Sequence, residues 1–139
     1  MTESDAPIAA VLDASALLAF LHEEQGADRV EASLWRGVLI GTVNWAEVLS
    51  DLVEAGESVA SAGPRVAARV AAFGPMTIVP FDESHALEAA RLHVRTRSLG
   101  LSLADRACLS LGRLRRLPVL TTDRAWRSLH ISVKIEVIR

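Results

Sequence analysis

Residues 8–21 read IAAVLDASALLAFL: an apolar run up to Leu12, an aspartate at position 13, then Leu17, Leu18, Phe20 and Leu21. A short apolar run closed by a turn-forming residue reads as a buried strand, and apolar residues three and four apart read as one face of a helix. Asp13 stands at the join of the two. The pattern recurs. VLIGTV (38–43) runs into Asn44 and Glu47, and PVLTT (118–122) runs into Asp123. LGLSL (99–103) leads into a helix opening at Ser102, with Asp105 in its first turn. In an open α/β sheet ligands bind beyond the carboxyl ends of the strands, so acids far apart in the chain can converge on one crevice. Crowded carboxylates repel, and a fold tolerates that when a cation sits between them. Asp13, Glu47, Asp105 and Asp123 therefore point to a magnesium or manganese site.

The rest of the chain keeps the alternation of strand and helix. After the first strand, helices are expected over 15–24 and 27–35, with Val30 and Leu34 four apart on one face. Strand 38–43 ends at Asn44, a good N-cap, and a helix over 45–55 follows until Gly56. The alanine-rich stretch 58–73 is helical, with Pro64 marking the first turn of its second part. Strand 76–81 feeds a helix over 82–97, the helix from Ser102 runs to 116, and Pro118 opens a strand to 121. A short helix over 124–129 and an alternating strand over 132–139 complete the pattern. One α/β domain over 8–139 is expected, with a mostly parallel sheet of about five strands and helices on both faces. Residues 1–7 are polar, are expected to be frayed, and carry no chemistry.

Composition narrows the function classes. Half of the 139 residues are hydrophobic but only 4% aromatic, which suits helices packed on a parallel sheet. The single cysteine, Cys108, rules out an internal disulfide and any multi-cysteine zinc site, and reads as inert core. No apolar run approaches the length of a membrane span and no secretory signal opens the chain, so a cytoplasmic protein is expected. A net charge of −2 gives no general affinity for nucleic acid, and a polyanionic substrate would need a local basic surface. Arg91, Arg95 and Arg97 with Arg113, Arg115 and Arg116 bracket the Ser102–Asp105 segment and could form it, or could be a solvated helix face. His22, His85, His93 and His130 lack any metal-binding spacing and read as surface residues, and no phosphate-cradling glycine motif is present.

Each acid also has a plain structural reading. Asp13 and Asp123 each precede a helix and can cap it, and Asp105 makes a capping box with Ser102. Glu47 has no capping partner in the right place. Caps account for the acids one at a time, but not for the whole set standing where strand ends meet helix starts.

Four segments carry a resemblance: DASALLAFL (13–21), TVNWAEVLSDL (42–52), GLSLADRACLSL (100–111) and PVLTTDRAW (118–126). In order and spacing they resemble the signature segments of PIN domains, and most closely those of VapC-type toxins of bacterial toxin–antitoxin pairs. The resemblance implies that Asp13, Glu47, Asp105 and Asp123 bind one or two divalent ions, Mg²⁺ or Mn²⁺, and support cleavage of RNA. It implies that Thr121, Asn44 and Ser15 order those ligands or contact water. It further implies a short DNA-binding antitoxin whose tail covers the helices beside the site, and a homodimer. Hydrolysis would leave a 5′-phosphate and a 3′-hydroxyl, with no side chain acting as nucleophile.

Two other classes compete. A haloacid-dehalogenase-like phosphohydrolase also begins with a strand and an aspartate, but it needs an acid where Ser15 stands and a lysine, and the only lysine is Lys134 in the last strand. A non-catalytic interaction module on the same fold would not need an intact acidic quartet. Leu17, Phe20, Leu21, Val30, Leu34 and Trp35 exceed what one sheet face needs, so some are expected to line a groove for a partner helix.

Overall fold

The computed structural model describes residues 7–139, so the frayed segment expected over 1–7 lies, except for Pro7, outside the described residues. Strand β1 (Ala10–Leu12) leads to helices α1 (Ala14–Leu21) and α2 (Ala27–Leu34). Strand β2 (Val38–Gly41), helices α3 (Thr42–Glu54) and α4 (Val59–Ala71), and strand β3 (Met76–Val79) follow. Helices α5 (Glu83–Thr96) and α6 (Leu103–Arg115) come next, with a short 3-10 turn at Arg97–Leu99 between them. Strand β4 (Val119–Thr121), a 3-10 turn at Arg124–Ser128 and strand β5 (Ile135–Val137) end the described chain. The sheet runs in the order β3-β2-β1-β4-β5 with every neighbouring pair parallel. The expected α/β architecture of about five strands holds, and it is wholly parallel.

Because side chains alternate across a strand, the central strands feed two cores. Ala10, Leu12, Val38, Ile40 and Leu120 pack with α1 to α4 on one face. Val11, Leu39 and Val119 pack with Leu92 of α5, with Cys108, Leu109 and Leu111 of α6, and with Trp126 on the other. Two glycines permit close approaches. A Cβ on Gly112 in α6 would lie 2.5 Å from the Val119 side chain, and one on Gly74 would lie 1.7 Å from the carbonyl oxygen of Leu34.

The structure corrects several expectations. β2 stops at Gly41 and α3 starts at Thr42, so Asn44 is not the cap but lies within the first turn of the helix. The Thr42 hydroxyl accepts from the Phe81 amide at 3.0 Å, and the residues expected to extend the strand wind into helix instead. α4 is one continuous helix with Pro64 inside it, held by Ala62, Val66 and Val70 on its buried face. His85 is buried rather than on the surface, with its ring edge-on to Phe81 at 5.9 Å. Leu17, Phe20, Val30 and Leu34 are core, and of the six residues expected to include a docking face only Trp35 is largely exposed, at 66%.

Candidate functional site

The parallel sheet puts the ends of β1, β2 and β4 on one side, and the start of α6 rises beside them. There a cleft of about 340 Å³ is lined by Asp13, Ser15, Asn44, Glu47, Asp105 and Asp123, and also by Asp51. All four acids expected from sequence are on its wall, and no Lys, Arg or His lines it.

Asp13 is the most constrained. It caps α1, with Oδ1 accepting from the Ala16 amide at 2.8 Å and from the Ser15 hydroxyl at 2.7 Å. The Thr121 hydroxyl, from β4, donates to its Oδ2. Thr121 in turn accepts from the Asp123 amide at 3.0 Å, and Ser15 accepts from the Thr122 amide at 2.9 Å. These hydroxyls lock the end of β1 to the end of β4. Asp13 is only 7% exposed. Burial pushes its carboxyl up to about 6, only partly offset by the bonds from Thr121, Ser15 and Ala16, and the charge of Asp105 adds to the rise.

Glu47 and Asp105 are held by different means. Asn44, 2% exposed, donates through Nδ2 to Glu47 Oε1 at 3.0 Å and to the carbonyl of Ala104 at 3.1 Å. One amide thus fixes α3 against the first turn of α6. Asp105 closes the expected capping box, its Oδ2 accepting from the Ser102 amide at 3.0 Å while Ser102 Oγ accepts from the Asp105 amide at 3.0 Å. Asp123 is exposed and caps the 3-10 turn through the Ala125 amide at 3.0 Å. The buried Cys108 thiol, one turn below Asp105, is pushed up by burial and further by the charges of Asp13, Asp105 and Glu47. Three carboxylates from three segments therefore act on one point of α6.

The caps and the cluster are the same residues. As they lie, no three Asp, Glu, His or Cys side chains among the described residues stand close enough to share one ion, because each carboxylate is turned to its own donors. The donor set nevertheless suits a hard divalent cation. It is all oxygen, and Asn44 Oδ1 beside it is buried without a hydrogen-bond partner.

Asp51 was not among the expected residues. It lies one turn after Glu47 on α3, and the i,i+4 spacing of Glu47 and Asp51 was the available signal. It sits 3.8 Å from His22 Nε2, at the end of the cleft farthest along α1. The arginines expected to form a basic rim are partly committed elsewhere. Arg91 and Arg113 both pair with the buried Glu88, and Arg95 donates to the carbonyl of His130. Arg97, Arg115 and Arg116 are exposed.

Among the described residues, no helix is long and apolar enough to cross a membrane. No curated protein matches the sequence. The fold is similar to that of VapBC2 from Rickettsia felis bound to a DNA fragment from their promoter: TM-score 0.70 at 13% identity, over 91% of this chain and 96% of that one. It is also similar to VapBC-5 from Mycobacterium tuberculosis, a member of the VapBC family of toxin-antitoxin systems: TM-score 0.57 at 24% identity, over 96% and 99%. A third likeness is to FitAcB from Neisseria gonorrhoeae, with TM-score 0.67 at 16% identity over 91% and 95%. A family model described as PIN domain matches residues 10–131, from the first residue of β1 past the turn that Asp123 caps. By that match, the chain belongs to the PIN domain family.

Proposed function

We propose that this PIN domain is a divalent-metal-dependent endoribonuclease and the toxin of a toxin–antitoxin pair. The observation that carries the reading is the cleft wall, where Asp13, Glu47, Asp105 and Asp123 arrive from four distant segments with no basic residue among them. Nothing in the folding of the chain requires so much like charge in one place, and a bound cation would offset it. The toxin part of the reading is supported by the likeness of the fold to chains from toxin–antitoxin complexes.

In this reading Asp13, Glu47, Asp105 and Asp123 hold Mg²⁺ or Mn²⁺, gathered by rotation of side chains around the fixed Asp13. The chemistry such an ion supplies is Lewis acidity toward the scissile phosphodiester and a lowered pKa for the attacking water. The protein's own part is positioning. Thr121 and Ser15 hold Asp13 in one rotamer, and Asn44 holds Glu47 and carries the orphaned Oδ1, which can accept from a water in the cleft. No side chain serves as nucleophile, and the products are a 5′-phosphate and a 3′-hydroxyl.

The phosphohydrolase alternative loses ground on Ser15, whose hydroxyl is engaged with Asp13 and the Thr122 amide and offers no second acid. An antitoxin with a cationic side chain reaching the acids, and a homodimer of this chain, belong to the same proposal. The test is cleavage of single-stranded RNA by the purified protein with Mn²⁺ against EDTA. Cleavage lost in EDTA and in Asp13→Asn supports the reading, whereas metal-independent cleavage, or none, overturns it. Co-expression with the product of an adjacent short gene tests the toxin part, since failure to bind or to restore growth removes that part alone.

A further inference from the structure

The acidic cleft presents a difficulty for a polyanionic substrate, because none of its lining residues is basic. A metal can neutralise the scissile phosphate but not its neighbours along the strand. Basic groups are therefore needed close to the cleft and continuous with it. They occur at one end. A second cavity, of about 190 Å³, lies farther along the α1–α3 seam, with Leu21 and Leu52 in its floor and His22, Arg65 and Arg69 in its wall. Leu18 and Asp51 line the acidic cleft, and Leu21, His22 and Leu52 line this one, so the two are separated by one helical turn of α1 and a single residue step of α3. His22 and Asp51, 3.8 Å apart, form the sill between them. From Asp13 to His22 the path along α1 is about 13 Å, the reach of a few nucleotides.

Both arginines are paired, Arg65 with Glu57 at 2.7 Å and Arg69 with Glu23 at 3.4 Å, yet their side chains remain 70% and 46% exposed. Exposed pairs of this kind contribute at most about 1 kcal/mol, so a phosphate can displace or share them at little cost. Each guanidinium has five N–H donors, and a single contact to a carboxylate leaves most of them for a second anion. The acids keep the arginines over the cavity while it is empty.

We propose that His22, Arg65 and Arg69 form a phosphate-binding station for the RNA strand where it leaves the metal cleft. This rests on the endoribonuclease reading above. The station contacts the sugar–phosphate backbone and does not read bases, so it sets affinity and strand direction while cleavage remains with the acids.

The test compares wild type, Arg65→Gln/Arg69→Gln, His22→Gln and a control, Arg115→Gln/Arg116→Gln, which removes equal charge at the far end of α6. Binding of a fluorescein-labelled twelve-nucleotide RNA of mixed sequence is read by anisotropy across a salt series, and cleavage of the same RNA and of a trinucleotide is read with Mn²⁺. The station predicts that the Arg65/Arg69 variant binds the long RNA roughly tenfold more weakly and loses about 1.4 from its salt slope, the loss of two single-strand phosphate contacts. Its kcat and its trinucleotide cleavage stay at wild-type values, His22→Gln weakens binding in the same direction, and the control is unchanged. An unchanged salt slope in the Arg65/Arg69 variant, or an equal loss in the control, overturns the station. Because anisotropy needs no catalysis, a wild-type protein that binds RNA through this station but never cleaves it sinks the nuclease reading and leaves the station standing.

Discussion

The hydroxyl of Thr121 donates to the carboxylate of Asp13 across 108 residues of sequence, and joins the two strands that bear the site. It lowers the pKa of a carboxyl that burial raises, so this one bond bears on charge, position and stability together.

Asp13 makes metal-free stability depend on pH. Its folded pKa, about 6, lies above the ordinary 3.8, so the folded state binds the extra proton and gains stability as pH falls from above 6 toward 4. The gain is at most about 3 kcal/mol, at 1.36 kcal/mol per unit. Thermal melts in EDTA should show a higher Tm at pH 5 than at pH 7.5, with that part of the rise missing in Asp13→Asn. A Tm difference identical in the two proteins contradicts the assignment.

Divalent metal should reverse that slope. Mn²⁺ that binds only the folded site raises Tm in proportion to occupancy, by about 2.7 kcal/mol at a hundred times Kd, and it competes with the proton, so the gain is larger at pH 7.5 than at pH 5. Asp13→Asn should lose the Mn²⁺ response while melting cooperatively. An undiminished response in that variant means that the acids are caps and nothing more.

Thr121→Val keeps the shape and removes the donor. A buried acceptor on Asp13 is then unpaired and the Asp123 amide loses its partner, at a cost of about 1–3 kcal/mol. The pH inflection assigned to Asp13 should move upward, since a bond that lowered its pKa is gone. Denaturant midpoints at pH 5 and pH 7.5 measure both, and an unmoved inflection would remove Thr121 from the site.

Asp105 separates capping from catalysis. Asp105→Asn retains an oxygen that can accept from the Ser102 amide, whereas Asp105→Ala does not and should be less stable than Asn by about 1 kcal/mol. Both should lose RNA cleavage by orders of magnitude at saturating Mn²⁺. Full activity in Asp105→Asn refutes its role as a ligand.

Gly112→Ala probes the packing of α6 on β4. The new methyl would meet Val119 at 2.5 Å, so the helix must shift, at a cost of about 1–3 kcal/mol. A urea midpoint equal to wild type would show that the contact can relax freely.

The strand ends and the four acids were legible because buried parallel strands are short apolar runs, and the acids follow them directly. The start of α3 was not. Thr42 and Val43 are β-branched and continue the apolar run, yet tertiary contacts at Thr42 and the packing of Asn44 against α6 turn them into the first turn of a helix. That slip placed Asn44 outside the helix and hid the stacking of Glu47 and Asp51 on one face. His85 was misjudged for want of the stripe it belongs to, since Glu88, Ala89, Leu92 and Thr96 bury the same side of α5. The station at Arg65 and Arg69 had no sequence signal, because nothing in the spacing brings α4 to the end of α1.

The strand order has a consequence for how the protein comes to be made. β4 inserts between β1 and β5, so Asp13 lacks its Thr121 partner, and the cleft lacks Asp123, until almost the whole chain has left the ribosome. At roughly 5–20 residues per second, the interval between synthesis of Asp13 and of Asp123 is about 5–20 s. A nascent chain carries every helix of the fold before it carries a complete acidic cluster. For a protein that destroys RNA, translation itself would then act as a timer, leaving the message and ribosome that produce it untouched until the last strands fall into place.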